Sequence, residues 1–408
     1  MSETLPPQPW MTTPEVEAVF SALEREGGQD AARFVGGCVR DALVGKAVSD
    51  IDIATPLVPE RVMAALQAAG LGAHPTGIDH GTITATAKGK PFEITTLRRD
   101  VETDGRRAVV AFTTDWAEDA QRRDFRLNGL YLDRAGRIYD PTGGGVADAK
   151  AGRIIFVGDP EMRLREDHLR NLRFFRFHAW YGRGEPDAAA LAACAKLNDG
   201  VVTLSGERLA KELLKLLAAP DPRPSVRLME QAGVLGKALP QAHDIARFEA
   251  LAGFETDPEL RLAALLSDDA LTVAAAAKRL RLSNVLRRRL LCAVPNEVTV
   301  GGDMSEPELR RAIYLLGAGT VRDRLQLARA SGSSSDAPWA DLMKLTEVWQ
   351  GPSFPLGGDD VKAAGVPEGP RLGRFLAVVE NWWLENDFAP DREALLARLK
   401  RAVEAQEA

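Results

Sequence analysis

The strongest constraint on the fold is a change in hydrophobic periodicity near residue 160. Before it, short stretches with the two-residue period of strands alternate with helical stretches, and the charged stretch 100–107 has no period, which predicts a mobile loop. After it, we find only helical periodicity. A chain of 408 residues is also too long for one core, because a domain holds roughly 100 to 200 residues. The sequence therefore predicts an α+β fold, with a mixed β-sheet and helices in the N-terminal domain and all-helical domains after it.

Turn-forming residues indicate where these domains end. Three consecutive glycines at 143–145 close the part of the chain that carries strand patterns, and a Pro-rich stretch at 220–224 interrupts the helical part. We therefore expect domains over residues 1–149, 150–220 and 221–408.

Charge, hydropathy and cysteine content exclude several classes of protein. The 52 Lys and Arg residues against 58 Asp and Glu residues give a net charge of −6, so a nucleic-acid site must be local. No apolar run approaches the roughly 18 residues that span a bilayer, which predicts no membrane partner. The scattered Cys38, Cys194 and Cys292 match neither a disulfide scaffold nor a zinc site. We therefore expect a soluble protein of the reducing cytoplasm.

Two adjacent glycines follow the first strand pattern. Gly36 and Gly37 come after the apolar run 33–35 and before a helical stretch. Glycines let the backbone approach a polyphosphate closely, and the planar guanidinium of Arg40 matches phosphate oxygens. An ordinary tight turn explains the glycines equally well. By itself, the Gly-Gly turn (Gly36 and Gly37) is a weak indication of a phosphate site.

Three carboxylates occur in strand patterns. The two-residue period sends Ile51 and Ile53 to one face of a strand and Asp50 and Asp52 to the other. Glu93 lies between two apolar residues and faces outward by the same rule. Carboxylates at this spacing suit Mg²⁺, which also takes substrate phosphate oxygens, and three of them could serve phosphoryl transfer. Solvated strand faces are the alternative interpretation.

A further pair of residues could recognise a nucleotide base. We expect one helix over residues 162–181, on which Asp167 and Arg170 are three apart and share a face. An Asp oxygen that accepts from the exocyclic amino group and an Arg that donates to the ring nitrogen would accept cytosine and adenine and reject uracil and guanine. The alternative is a surface ion pair.

Basic residues are concentrated in two places. Residues 163–176 hold five arginines against two carboxylates, and a second group lies at 278–289. Either group could bind RNA phosphates, and either could be a solvated helix face.

Four blocks of residues together resemble the class II tRNA nucleotidyltransferases (CCA-adding enzymes), whose bacterial relatives include poly(A) polymerases. The resemblance covers about the first 220 residues, and the order of the blocks makes it specific. The blocks are Gly36-Gly37-x-Val39-Arg40-Asp41 with Asp50-x-Asp52, Arg122-Arg123-Asp124-Phe125-x-x-Asn128, Glu166-Asp167-x-x-Arg170, and Glu207-Arg208 with Glu212 and Lys215.

The resemblance implies a role for each matching residue. Asp50 and Asp52 match the metal-binding pair, for Mg²⁺, and Asp167 and Arg170 match the base-reading pair. Asp124 suits a ribose 2′-OH, which would favour NTPs over dNTPs. The nucleotide-binding matches are Gly36, Gly37 and Arg40 at the triphosphate, and Arg123, Asp124 and Asn128 at the sugar and phosphates.

What the resemblance implies is a polymerase β-like nucleotidyltransferase head, a helical neck that holds the base, and a helical body and tail that hold the tRNA acceptor arm. The implied activity is template-independent addition or repair of the 3′-terminal CCA of tRNA with CTP and ATP, releasing pyrophosphate. Alternatives are a poly(A) polymerase, an enzyme that adds only C or only A, and a non-catalytic RNA-binding protein.

Overall fold

The computed structural model describes residues 3–104, 107–332 and 338–405, which form two compact units. One unit extends to Pro240 and includes Arg279–Arg281, and the other holds Gln241–Lys278 and the chain from Leu282 onward. Among the described residues, no helix has the length and apolarity needed to cross a membrane.

The strands of the described residues all lie in the N-terminal unit, before residue 140, as the periodicity predicts. Together with the helices they confirm the predicted α+β class. The strands are β1 (Arg33–Val35), β2 (Asp52–Thr55), β3 (Gly72–Gly77), β4 (Thr82–Ala87), β5 (Lys90–Thr96), β6 (Arg98–Asp104), β7 (Arg107–Phe112), β8 (Tyr131–Leu132) and β9 (Ile138–Tyr139).

One mixed sheet carries most of these strands, in the order β3-β4-β5-β2-β1-β8-β9. Its pairs are antiparallel except β2 with β5, which run parallel and place Asp52 opposite Glu93. Ile51 and Ile53 are buried in the core of the sheet, and Phe92 and Ile94 are buried on either side of the exposed Glu93. The alternation predicted for both strands is therefore confirmed.

The first helices of the N-terminal unit alternate with the strands of the sheet, and the later helices follow one another with no strand between them. Helix α1 contacts β4 and α3, and its Val19, Phe20 and Leu23 are fully buried in the core of the sheet. The helices are α1 (Pro14–Gly27), α2 (Gly37–Leu43), α3 (Pro59–Ala68), α4 (Trp116–Gln121), α5 (Gly145–Ala151), α6 (Pro160–Glu166), α7 (Leu169–Tyr181), α8 (Ala188–Lys196), α9 (Gly206–Leu217), α10 (Arg223–Gln231) and α11 (Val234–Ala238).

The C-terminal unit is helical throughout its described residues. Its apolar side chains form separate clusters, one around Leu309 and Leu325 and another around Val361, Phe375 and Trp383. The helices are α12 (Ile245–Ala252), α13 (Pro258–Leu265), α14 (Ala270–Arg279), α15 (Asn284–Ala293), α16 (Glu306–Leu316), α17 (Ala318–Ala330), α18 (Trp339–Val348), α19 (Gly358–Ala363), α20 (Arg371–Glu385) and α21 (Arg392–Glu404).

Two local predictions are wrong. The expected loop over residues 100–107 is an antiparallel hairpin of β6 and β7, although Gly105 and Arg106 lie outside the described residues. Few apolar residues occur there, so the sequence has no two-residue period, whereas the pairing itself is made by backbone groups. The single helix expected over residues 162–181 is divided into α6 and α7 by extended backbone at Asp167 (φ −151°, ψ 106°).

Candidate active site

The Gly-Gly turn connects β1 directly to α2. Gly36 has φ +69° and ψ −115°, a conformation that strongly favours glycine. Its amide donates to the carbonyl of Leu130 (3.2 Å), and a Cβ atom at this position would lie 3.6 Å from Nη1 of Arg123. The turn therefore brings the predicted phosphate glycines beside a second predicted nucleotide-binding residue.

Arg40 follows the turn on α2 and is buried, with each guanidinium nitrogen bonded within the protein. Nη1 donates to Oδ1 of Asn128 (2.7 Å), Nη2 donates to the hydroxyl of Tyr181 (2.7 Å), and Nε donates to Oδ1 of Asp41 (3.0 Å). The guanidinium also lies 4.1 Å from the centre of the Tyr181 ring. Arg40 thus ties the turn to Asn128 and to the end of α7, and Tyr181 is a member of this cluster that the motifs did not indicate.

Two of the three predicted catalytic carboxylates lie at the β2–β5 pair, and the third lies just before it. Asp52 begins β2 opposite Glu93 of β5, and the exposed Asp50 lies two residues earlier. Burial is the main cause that raises the pKa of Asp52 to about 6; the charges of Glu93 and Asp50 add to it, and that of Arg123 opposes it. Within the described ranges, no group of three or more His, Cys, Asp or Glu side chains could by itself hold a metal ion.

Asp124 and Asn128 form a buried hydrogen-bonded pair. Oδ1 of Asp124 accepts from the side-chain nitrogen of Asn128 (2.9 Å) and from the backbone amide of Phe125 (2.9 Å), and Oδ2 accepts from Nε of Arg173 (2.7 Å). Burial alone would raise the pKa of Asp124, but the charge of Arg173 and these hydrogen bonds lower it below its ordinary value. Both carboxylate oxygens of Asp124 therefore already have partners within the protein.

Asp167 and Arg170 lie close in the chain but bind different partners. The Asp167 carboxylate accepts from Nη2 of Arg208 (2.8 Å) and from the backbone amide of Leu169 (3.0 Å). Arg170 pairs with Glu166, and its Nη2 donates to the carbonyl of Arg122 (2.9 Å). The shared helical face expected from their spacing is wrong, because Asp167 lies between the two helices.

The arginines of the first group of basic residues form ion pairs within the protein, and that of Arg165 is exposed. Each of its five arginines has a carboxylate partner within 4 Å, so it is not a free basic surface. The pairs are Arg163 with Glu166, Arg165 with Glu161, Arg170 with Glu166, Arg173 with Asp124, and Arg176 with Glu212. In the second group, Arg289 pairs with Asp257, Glu259 and Asp323, whereas Arg287 and Arg288 are exposed.

A chain of polar contacts connects three of the predicted nucleotide-binding residues, Arg40, Asn128 and Asp124. It passes from Arg40 to Asn128, Asp124 and Arg173, and ends at Glu212, whose Oε1 lies 3.9 Å from Nη1 of Arg173. Glu212 is only 5% exposed and also accepts from Arg176 (2.6 Å). The links were not predictable from spacing, since 49 residues separate Asp124 from Arg173.

A mixed sheet with a Gly-Gly turn and paired strand carboxylates fits the class of nucleotidyltransferases, and comparison with known proteins shows this class. The family model described as the poly A polymerase head domain matches residues 32–155, and the model described as the probable RNA and SrmB- binding site of polymerase A matches residues 185–245.

Relatives and solved structures identify the family. The chain is 34% identical over 384 residues to the mouse (Mus musculus) protein named CCA tRNA nucleotidyltransferase 1, mitochondrial, covering 90% of this chain and 86% of that relative. The CCA-adding enzyme of Geobacillus kaustophilus is 36% identical over 225 residues, or 53% of this chain and 52% of that enzyme. The crystal structure of the Bacillus stearothermophilus CCA-adding enzyme in complex with CTP superposes with a TM-score of 0.76 at 25% identity, covering 97% of this chain and 99% of that one. The chain belongs to the family of CCA tRNA nucleotidyltransferases.

Proposed function

We propose that this chain adds or repairs the 3′-terminal CCA of tRNA without a template, using CTP and ATP and releasing pyrophosphate. The observation that carries the proposal is the 34% identity to a CCA tRNA nucleotidyltransferase over 90% of this chain. The fold match to a CCA-adding enzyme in complex with CTP supports the same nucleotide substrate.

The carboxylates of the β2–β5 pair suit Mg²⁺, with Asp50 and Asp52 as its protein ligands and Glu93 as a further catalytic carboxylate. Burial and neighbouring negative charge raise the pKa of Asp52 to about 6, so a bound cation would stabilise its ionised form. A pair of carboxylates is sufficient for Mg²⁺, because substrate phosphates and water complete its ligands. When bound, Mg²⁺ supplies positive charge at the phosphate oxygens of the substrate.

The reaction joins the terminal 3′-OH of the tRNA to the α-phosphorus of the incoming nucleotide, and the bond to pyrophosphate breaks. We assign the Gly-Gly turn, Arg40 and Arg123 to the triphosphate, because the space that a side chain at Gly36 would fill stays open, and its Cβ position lies 3.6 Å from Nη1 of Arg123. Arg40 would act chiefly by fixing the turn, since each of its guanidinium nitrogens already donates to a protein acceptor. Asp124 and Asn128 would hold the sugar side of the site.

We assign base selection to Asp167 and Arg170. An acceptor beside a donor matches the edges that cytosine and adenine share, so one protein site would serve both nucleotides. Arg208 pairs with Asp167 and Glu166 pairs with Arg170, and these partners would orient the two side chains toward a base.

The domain roles are part of the same proposal: a nucleotidyltransferase head at residues 1–149, a base-binding neck at 150–220 and an RNA-binding body and tail at 221–408. The cytoplasmic location of this chain stays a prediction, and the mouse relative is named as mitochondrial.

The decisive experiment offers the purified chain tRNA that ends at the discriminator base, at C or at CC, with each labelled NTP singly and in pairs. We expect two C additions followed by one A addition, and then no further growth. Continued addition of A would indicate a poly(A) polymerase, and a stop after C or a requirement for preformed CC would indicate a partial enzyme.

A further inference from the structure

Asp119, on α4, is a buried carboxylate with two arginine partners. Only 1% of its surface is exposed. Its Oδ1 accepts from Nη2 of Arg122 (2.7 Å), and its Oδ2 accepts from Nη2 of Arg123 (3.0 Å) and from the hydroxyl of Tyr131 (2.7 Å). Burial would raise the pKa of Asp119, but Arg123, Arg122 and the Tyr131 hydroxyl hold it well below the usual range of a carboxyl. Asp119 is therefore a fixed negative charge beneath both guanidinium groups.

The Arg123 guanidinium is aimed at the Gly-Gly turn from this anchor. Nη2 and Nε face Asp119, so Nη1 is directed to the other side, where it lies 3.6 Å from the Cβ position of Gly36 and 3.4 Å from the carbonyl of Asn128. The charge of Arg123 also lowers the pKa of Asp52, so it acts on a strand carboxylate as well as beside the turn. Arg123 thus connects the turn with the carboxylates, and Asp119 sets its direction.

We propose that Asp119 is a positioning residue for the nucleotide triphosphate, which it serves by orienting Arg123. The inference rests on the proposed function, because it takes Arg123 to contact the triphosphate. Asp119 itself touches no substrate. Its loss should weaken the recognition of the β- and γ-phosphates and leave the recognition of the base unchanged.

The test measures the binding of CTP and of CMP to the full chain in magnesium buffer. The dissociation constant of CMP divided by that of CTP isolates the contribution of the β- and γ-phosphates, and this quotient is the ratio used below. For Asp119→Asn we expect this ratio to fall roughly 10-fold, the effect of losing one well-placed charged hydrogen bond. The matched control is Asp148→Asn, since Asp148 is also fully buried and binds two arginines, Arg126 (2.7 Å) and Arg153 (3.0 Å). Both variants should melt at lower temperature, and only the first should change the ratio.

Two further variants separate orientation from folding. In an Arg123→Ala background, Asp119→Asn should cause no further fall in the ratio. If Asp119→Asn does not fold, Tyr131→Phe removes one hydrogen bond from the same carboxylate and should lower the ratio about threefold. The inference is overturned if the ratio is unchanged in the folded Asp119 variant or in Tyr131→Phe. It is also overturned if the ratio falls equally in Asp148→Asn. A wild-type chain that adds neither C nor A to tRNA would instead refute the proposed function.

Discussion

The surroundings of Asp52 disfavour the ionised form of its carboxyl group. Burial, assisted by the charges of Glu93 and Asp50, raises its pKa to about 6, whereas the pKa of an Asp in an unfolded chain is about 3.9. Between these two values the native state binds more protons than the unfolded state, so this residue's contribution to stability falls as the pH rises through the window. The metal-free protein therefore carries a destabilising charge at neutral pH.

Asp52→Asn should remove this charge without emptying the core. In metal-free buffer at pH 8 we expect the variant to melt about 2 °C or more above the wild type, and the difference should close near pH 4. Mg²⁺ should raise the melting temperature of the wild type only. Thermal melts at both pH values check this, with the exposed Asp30→Asn as control. A variant that Mg²⁺ stabilises as much as the wild type would contradict the metal assignment.

The same position should separate chemistry from RNA binding. Asp52→Ala should abolish nucleotide addition and leave tRNA affinity nearly intact, because it deletes a proposed metal ligand at the start of a strand and changes no residue assigned to RNA binding. Gel-shift titration with tRNA and single-turnover addition of C measure the two properties. Near-normal addition by the folded variant would exclude the assigned role.

Base selection should depend on Asp167. Asp167→Ala should weaken the use of CTP and ATP together by about 30- to 150-fold relative to UTP and GTP, since a base edge is left unpaired in a site built to match it. The control is Asp159→Ala, because Asp159 caps α6 through the amide of Met162 (2.8 Å), as Asp167 bonds the amide that starts α7. Single-turnover rates with all four NTPs on tRNA that ends in C give the ratios. Equal ratios in the two variants would place base selection elsewhere.

At the scale of elements, α7 is held by buried ion pairs on the face that meets α9. Arg176 donates to Glu212 (2.6 Å), whose other arginine is farther away at 3.9 Å. Arg176→Ala should lower the free energy of unfolding of this unit by about 2 to 4 kcal/mol, because it leaves a buried carboxylate poorly compensated. Arg61→Ala, which breaks the exposed pair with Glu26, should cost about 1 kcal/mol or less. Urea unfolding provides both values, and equal costs would show that burial does not matter here.

Periodicity predicted which side chains of an element are buried, and it did so well for β2 and β5. The pattern around Ile51 and Ile53 and the position of Glu93 between Phe92 and Ile94 needed only local information. The direct pairing of Asp52 with Glu93 did not follow, because a two-residue period carries no information about which strand lies alongside.

The break at Asp167 was missed for a different physical reason. An aspartate in a helical stretch can face solvent or can bond a backbone amide and start a new helix, and the sequence around it fits either case. Here its carboxylate accepts from the amide of Leu169 (3.0 Å). The ionic partners of Arg173 and Arg176 were equally hidden, since these arginines bind carboxylates 49 and 36 residues away.

At the scale of the whole molecule, the first compact unit extends to Pro240, beyond the predicted neck boundary at residue 220. Helices α10 and α11 bury Val226, Met229 and Val234, and Ser225 lies 2.7 Å from Nδ1 of His178 on α7. A fragment of residues 1–240 should therefore be more stable than one of residues 1–220. Both should fail in productive tRNA binding, because they lack all or most of residues 221–408, to which RNA binding is assigned.

Limited proteolysis, CTP binding and tRNA gel shifts on the two fragments check this prediction. The longer fragment should resist protease and retain CTP affinity. CCA addition by either fragment at the rate of the full chain would refute the RNA-binding role of the C-terminal half.

The bond from Arg40 to the hydroxyl of Tyr181 spans 141 residues of sequence. A ribosome that adds about 5 to 20 residues per second needs roughly 7 to 28 seconds to synthesise that interval. Throughout that time the emerging head has its glycines, its arginine and, later, Asn128, but not the phenol that accepts the third hydrogen bond of the arginine. Translation thus imposes an order on maturation, in which Arg40 beside the Gly-Gly turn gains its last partner only after helix α7 has left the exit tunnel.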